Sequence, residues 1–159
     1  MDEEAEGRWR RPDPALLRLR IGLVVLLVAV PGVLTAAAVA LLVGGVQGLA
    51  ALLAAVVLTG LLLVAVWRRY DAWGYLERDD DLLVRRGVLV RRTSVVPYGR
   101  MQYVDVTAGP LARRFGLATV TLHTAAAATD AVVPGLLAAE AHRLRDRLAA
   151  LGEARQAGV

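Results

Sequence analysis

The sequence contains no cysteine and no lysine. The lack of cysteine excludes disulfide bonds, thiolate metal sites and a cysteine nucleophile. All 19 basic residues are therefore arginine, and together with the abundance of Ala, Val, Leu and Gly this is typical of a GC-rich bacterial coding sequence. The all-arginine usage thus follows from genome composition more readily than from function.

Charged residues are missing from 47 consecutive positions, 21–67. A soluble domain would scatter its apolar residues with helix or strand periodicity, and a disordered chain would lack them. Because a bilayer core needs about 20 apolar helical residues, this stretch is long enough for two spans and a turn. The Gly-rich residues 44–48 indicate the turn. We predict membrane helices over 21–43 and 49–67, with a kink at Pro31–Gly32.

A cleaved signal peptide and a buried hairpin of a soluble protein are the alternatives for this stretch. The basic start and Ala36–Ala38 resemble a signal peptide, but the apolar run continues far past any plausible cleavage site. A soluble hairpin would need a polar face on each helix, and neither segment has one. The pattern favours a membrane hairpin.

Arginine positions predict the orientation. Residues 1–20 form a polar tail with five arginines, and its two prolines predict disorder up to about Ala15. Arg68 and Arg69 directly follow the second span, whereas the turn carries no charge. The positive-inside rule then places both termini in the cytoplasm. We therefore predict a multi-pass protein of the bacterial plasma membrane.

Residues 68–159 have the pattern of a small cytoplasmic α+β domain. Alternating apolar residues place Met101 and Tyr103 on one face of their strand, and Val120 and Leu122 on one face of theirs. The strands are predicted over 82–86, 88–96, 101–107, 118–124 and 131–133.

A single apolar stripe predicts one C-terminal helix over about 136–151. Pro134–Gly135 should mark its start and Gly152 its end. The stripe consists of Leu137, Ala141, Leu144, Leu148 and Leu151.

Several stretches of this domain resemble the bacterial PH-like domain of YdbS-like membrane proteins. They are LVRRGVLVRRT at 83–93, VVPYGRMQYV at 95–104, GPLARRFGLATV at 109–120, His123–Ala125, and 133–136 with Glu140–Ala141. The resemblance covers roughly residues 70–151, and the upstream hairpin matches the common layout of the family. It implies a PH-like fold, with two roughly orthogonal β-sheets capped by a C-terminal helix. The role of the family is poorly defined, so the resemblance indicates architecture rather than activity.

The local pattern within 109–120 agrees with this fold. Leu111, Phe115 and Leu117 are expected to dock a short helical turn into the core, with Arg113 and Arg114 pointing outward. Phe115 is the only phenylalanine, and anchoring the core is its expected use. Gly116 is expected to end the turn in a left-handed conformation.

Few residues could carry chemistry. Ser94 is the only serine and lacks a nucleophile-elbow context, and His123 and His142 lack metal-ligand spacing. Asp79–Asp81 lacks the pattern of a calcium loop and is expected to be a solvated turn. We predict no enzyme activity, no metal and no cofactor.

Paired arginines are the remaining candidate site. Arginine binds phosphate oxygens bidentately, and an anionic leaflet attracts basic segments by about 1 kcal/mol per residue. A solvated positive face is the alternative, because neighbouring strand residues point to opposite faces. Nucleic-acid binding is not expected, since no aromatic residues interleave with the arginines. The candidate contacts for anionic lipids or a partner are Arg85, Arg86, Arg91, Arg92, Arg100, Arg113 and Arg114.

Three functions remain open on this sequence. The leading hypothesis is a non-enzymatic membrane-anchored adaptor, whose PH-like domain binds a partner protein or a second copy through a sheet edge or the groove beside the C-terminal helix. The second is a sensor of anionic lipid head groups. The third is an accessory subunit of a membrane transport or export complex. An autonomous ion pathway is not expected, because neither span contains an ionisable residue.

Overall fold

The computed structural model describes residues 9–125 and 130–157. The chain divides into two compact units. One covers Leu17–Arg69, and the other combines the N-terminal segment up to Leu16 with the chain from Tyr70 onwards. All strands of the described residues belong to the second unit.

The first helix, α1, runs from Pro14 to Leu42. Asp13 caps it, since its carboxylate accepts a hydrogen bond from the Ala15 N–H at 2.7 Å. Proline suits the first helical position, where no N–H donor is needed. The predicted disorder up to about Ala15 is therefore wrong for the described residues, because Pro14 starts the helix instead of preventing it.

A wider helical turn interrupts α1 just before its proline. Val25–Ala29 form a π-helical turn, in which the Val30 N–H donates to the Val25 carbonyl five residues earlier. Pro31 has no N–H and cannot continue the regular bonding pattern, and π turns absorb such interruptions within a helix. The irregularity predicted at Pro31–Gly32 thus takes the form of this turn.

The second helix, α2, covers Gly45–Asp71 and follows a turn at Val43–Gly44. Gly44 has φ +147°, in the region that favours glycine. The turn is shorter than the predicted five residues, because α2 already begins at Gly45. Gly48 lies within α2 instead, where a Cβ atom would be only 2.6 Å from the Ala40 Cα atom, so glycine permits close helix packing.

Both helices are long and apolar enough to cross a membrane. Large apolar side chains lie exposed along them, among them Leu26, Leu34, Val46 and Leu61. Exposing this much apolar surface to water is unfavourable. A helix in lipid satisfies its own backbone hydrogen bonds, and this unit is therefore suited to a bilayer.

The first sheet has three antiparallel strands in the order β1–β2–β3. β1 covers Gly74–Glu77, β2 covers Asp81–Arg86 and β3 covers Arg92–Pro97. The strand predicted over 88–96 begins too early, because Val88–Val90 form the turn before β3.

The second sheet is also antiparallel, in the order β4–β5–β6. Its strands are Met101–Thr107, Leu117–Thr124 and Ala131–Leu137. A short helix, α3, covers Pro110–Arg114 between the first two. The two sheets and the C-terminal helix give the α+β, PH-like architecture that the sequence predicts.

A β-bulge between Met101 and Tyr103 changes the sidedness of β4. Met101 is buried whereas Tyr103 is 55% exposed, so the prediction of a common face is wrong. The extra residue reverses the alternation of side chains. Val104 therefore packs against the core, while β5 alternates as predicted.

The C-terminal helix, α4, covers Ala138–Ala157 and is displaced from its predicted bounds. Pro134 and Gly135 belong to β6, since the strand continues to pair with β5 as far as Leu137. Gly152 does not end the helix, because hydrogen bonding continues through it. It lies instead against Met101 and Tyr98.

The core lies between the sheets and α4. Ala141, Leu144 and Leu148 are fully buried along the helix and contact apolar side chains of both sheets. Leu137, predicted as part of the same stripe, is exposed at the end of β6. Tyr98 is buried and donates its hydroxyl to the Arg78 carbonyl at 2.8 Å, and burial raises the pKa of Tyr98 to about 12.

The segment before α1 packs along the β-sheet unit. Arg10 and Tyr75 exchange two backbone hydrogen bonds, of 2.8 and 2.9 Å, and the Asp13 N–H donates to the Gly135 carbonyl at 2.8 Å. The segment thereby covers part of the β1 edge, which a sheet would otherwise leave open. Within the described residues, β3 and β4 each have a strand neighbour on one side only.

Candidate functional site

Four of the predicted arginines lie on the hairpin formed by β2 and β3. Arg86 and Arg92 are directly opposite each other in the ladder, and Arg85 is opposite Thr93. Paired residues of an antiparallel ladder share a face, so Arg86 and Arg92 project to the same side. Two like charges in this position destabilise the sheet, and an anion bound between them would relieve the repulsion.

The predicted arginines lack the acidic partners that other arginines have. In the part of the chain that is described, no carboxylate lies within 4.0 Å of the seven predicted guanidinium groups. Arg85 lies over the Trp9 ring instead, 4.6 Å from its centroid. By contrast, Arg143, Arg147 and Arg155 of α4 each pair with an acidic side chain. Nearby acidic side chains therefore do not neutralise the positive charge of these seven arginines.

The turn between the two arginine pairs exposes three apolar side chains. Val88 is 42% exposed, Leu89 96% and Val90 69%. Gly87 begins the turn with φ +106°, and a Cβ atom there would collide with the Val90 carbonyl. Glycine thus permits a tight turn that carries an apolar tip between basic flanks.

Arg113 and Arg114 lie at the end of α3 and are exposed, as predicted. Phe115 is 43% exposed and Leu111 is also exposed, so the predicted anchoring of these two residues in the core is wrong. Gly116 adopts the predicted left-handed conformation, with φ +67°. It turns the chain directly after Phe115, and Leu117 enters the core as predicted.

Arg100 lies apart from the four arginines of the β2–β3 hairpin. It ends the short 3-10 helix Tyr98–Arg100, which follows the last residue of β3. Arg92 is the first residue of that strand, and its six residues span about 20 Å at ~3.3 Å per residue. The structure therefore groups Arg85 to Arg92 on one hairpin and places Arg100 at its opposite end.

An ion-pair network that no sequence motif predicts joins β1 to α4. The Glu77 side chain is only 9% exposed and pairs with Arg143 at 2.8 Å, Arg147 at 3.4 Å and Arg10 at 3.6 Å. Arg143 also donates two hydrogen bonds to Glu140, at 2.6 and 2.8 Å. These bonds hold the pKa of Glu140 below its ordinary value and raise the pKa of Arg143. The network fastens the N-terminal segment and α4 to the first sheet.

A second cluster lies on the outer face of the second sheet. His123 stacks on Tyr103 with ring centroids 4.4 Å apart. Its Nδ1 atom is 3.0 Å from Asp130 and its Nε2 atom is 3.6 Å from Asp105. Asp130 also accepts the Thr124 N–H at 2.9 Å, which lowers the pKa of Asp130. The two carboxylates face different ring nitrogens and do not converge on one point.

The other residues considered for chemistry lie apart. Ser94 is partly buried in β3 opposite Val84, and His142 is exposed on α4. Asp80 pairs with Arg155. The described ranges, 9–125 and 130–157, contain no group of three or more His, Asp or Glu residues that could hold a metal ion.

The fold defines the class: an apolar two-helix hairpin followed by a two-sheet PH-like domain closed by a C-terminal helix. The bacterial PH domain family matches residues 16–152, and the chain belongs to this family. It is 37% identical over 83 residues to the UPF0699 transmembrane protein YdbS of Bacillus subtilis (strain 168).

That match covers 52% of this chain and 51% of the relative, so the chain spans about half the length of the curated protein it matches. No solved structure matches it significantly. The resemblance to YdbS-like proteins is confirmed, and the chain is a membrane protein with a bacterial PH domain.

Proposed function

We propose that the protein is a non-enzymatic membrane-anchored adaptor. Its hairpin holds the PH-like domain at the cytoplasmic face of the bacterial plasma membrane, where the domain binds a partner protein or a second copy. The observation that carries this proposal is the edge of β4 over 103–107, which has β5 on one side and no strand on the other within the described residues. An extended segment adds to such an edge through backbone hydrogen bonds.

Side chains beside this edge supply specificity. The exposed ring of Tyr103 is held in place by its stacking on His123, and aromatic side chains are enriched at protein interfaces. Asp105 lies two residues further along the same face and adds a charge. The β1 edge is less accessible, because the segment around Arg10 is already paired with it.

Site-specific photo-crosslinking tests the adaptor proposal. A benzoylphenylalanine in place of Tyr103, in the full chain in native membranes, should give a defined product. Its mass identifies a second copy, at twice 17.0 kDa, or a partner. Arg145 of α4 is the control, because its side chain is 41% exposed and is already paired with Asp146. Equal crosslinking from both positions, or none from Tyr103, would contradict the proposal.

Contact with anionic lipid head groups is a second candidate function. It is supported by Arg86 and Arg92, which face each other across the ladder and have no acidic partner within the described residues. Guanidinium groups bind phosphate oxygens in a bidentate fashion, so one head-group phosphate can satisfy both.

Native mass spectrometry of the full chain in non-ionic detergent tests this contact. The double variant Arg86→Gln/Arg92→Gln should retain several-fold less phosphatidylglycerol than the unaltered chain. Arg145→Gln/Arg155→Gln removes the same charge from arginines that are already paired, and should retain the lipid. Equal losses from both variants would show that only net charge matters and would exclude a head-group site on the hairpin.

A further inference from the structure

We infer that the apolar tip Val88–Val90 inserts into the adjacent lipid leaflet and gives the domain a second membrane attachment besides the hairpin. This inference rests on the proposed contact of the same turn with anionic lipids. It goes further, because head-group binding alone would leave the tip in water.

The tip has the wrong composition for a turn in water. Turns in soluble proteins favour Gly, Pro, Asn, Asp and Ser, whereas this one places three consecutive aliphatic residues after Gly87. Leu89 is the most exposed of all large apolar side chains in the described residues. An exposed apolar patch with a polar rim marks an interaction site.

The basic rim identifies lipid as the occupant. Arg86 and Arg91 flank the tip directly in the chain, and Arg92 faces Arg86 across the ladder. Arginine side chains extend their charged ends to the head-group level while their stems lie along apolar surface. A tip in the acyl region with guanidinium groups among the phosphates matches the layering of an anionic leaflet.

The connection between α2 and the first sheet is short. Gly74 is opposite Arg85 in the β1–β2 ladder, so the turn lies at the end of the sheet where β1 begins. β1 begins only three residues after Asp71, the last residue of α2. Three residues span at most about 11 Å, so the length of the connection allows the tip to meet the leaflet at which α2 ends.

A single fluorescent label tests the insertion. The chain has no cysteine, so Leu89→Cys carries an environment-sensitive dye at one site, in the full chain in lipid nanodiscs. The matched control is Gln102→Cys, an exposed residue beyond the opposite end of β3. Lipids with a nitroxide on the acyl chain should quench the Leu89 label several-fold more than the Gln102 label, and iodide in the buffer should quench it less. Leu89 is 96% exposed, so the labelled chain is expected to fold.

The outcomes separate insertion from head-group binding. If iodide reaches the Leu89 label in nanodiscs as freely as in detergent, the insertion is wrong, even if the arginine variants still lose phosphatidylglycerol. A label shielded from iodide but not quenched by nitroxide lipid lies against protein, which also overturns the insertion. Equal acyl-chain quenching in neutral and anionic nanodiscs supports insertion and contradicts the head-group proposal.

Discussion

Glu140 connects three parts of the domain at the residue scale. Its carboxylate accepts hydrogen bonds from Arg143 on the same helix, from Arg10 of the N-terminal segment at 2.8 Å, and from the Tyr75 hydroxyl at 3.3 Å. The bonds from Arg143 are the main cause of the lowered pKa of Glu140. The ionised form of this carboxylate therefore stabilises the folded domain.

Stability should fall in acid as Glu140 is protonated. Because its folded pKa lies below the unfolded value, its contribution is complete above the unfolded pKa and is lost as the pH falls through the folded pKa. The Tm of Glu140→Gln should therefore decrease less than that of the unaltered chain between about pH 7 and about pH 3.

Thermal unfolding of the full chain in detergent, followed by near-ultraviolet circular dichroism, measures this difference. Glu153→Gln is the matched control, because Glu153 is exposed on the same helix. Its Tm profile should follow that of the unaltered chain. A Glu140→Gln profile that also superposes on it would show that the carboxylate contributes nothing to acid sensitivity.

At the scale of elements, two glycines that both looked like terminators in the sequence have opposite roles. Gly116 ends α3 with φ +67°, a conformation that other residues rarely adopt. Gly152 lies inside α4, and a Cβ atom there would make ordinary contact with Met101 Cε at 3.6 Å. The backbone conformation at position 116 thus requires glycine, whereas the conformation at position 152 does not.

Replacement of each glycine by alanine should shift stability in opposite directions. Gly152→Ala should stabilise the domain by about 0.5–1 kcal/mol, because alanine loses less conformational entropy in a helix. Gly116→Ala should destabilise it by about 1–2 kcal/mol through left-handed strain, although nothing crowds the site. Urea unfolding of the full chain measures both, and shifts of the same sign would contradict the assignment.

At the scale of the whole molecule, the chain segments before and after the hairpin belong to the same compact unit, which contains the PH-like domain. Asp13 immediately precedes α1 and bonds to Gly135, while β1 starts shortly after α2. Two consecutive spans joined by a tight turn would return the chain to the side where it began. This connectivity supports the proposed topology, in which the domain and both termini share one side of the membrane.

Cysteine labelling in intact bacteria should show this topology. Gln47→Cys, in the first turn of α2 next to the connection between the helices, should react with a membrane-impermeant maleimide in whole cells, whereas Gln102→Cys in β4 should react only after permeabilisation. The cysteine-free sequence ensures that each variant has one reactive thiol. Labelling of Gln102→Cys in intact cells would overturn the cytoplasmic placement of the domain.

The candidate site was predictable in part. Arg85, Arg86, Arg91 and Arg92 stand out in the sequence, because they lie among residues typical of strands on both sides of Gly87. The structure places all four on one hairpin. Arg100 belongs to the predicted set because it also falls at a strand end, but β3 carries it to the opposite end of the hairpin. Ladder register, which depends on pairing between strands, decides which charges meet.

The sequence by itself determined the hairpin, the alternation of β5 and the α+β class, because span length and side-chain periodicity are local properties. Only the tertiary structure decided that Phe115 stays outside the core, that a bulge turns Tyr103 outward, and that Glu77 is surrounded by arginines. These features depend on contacts between residues far apart in the chain. Burial and ion pairing are properties of the packed chain, and no local pattern encodes them.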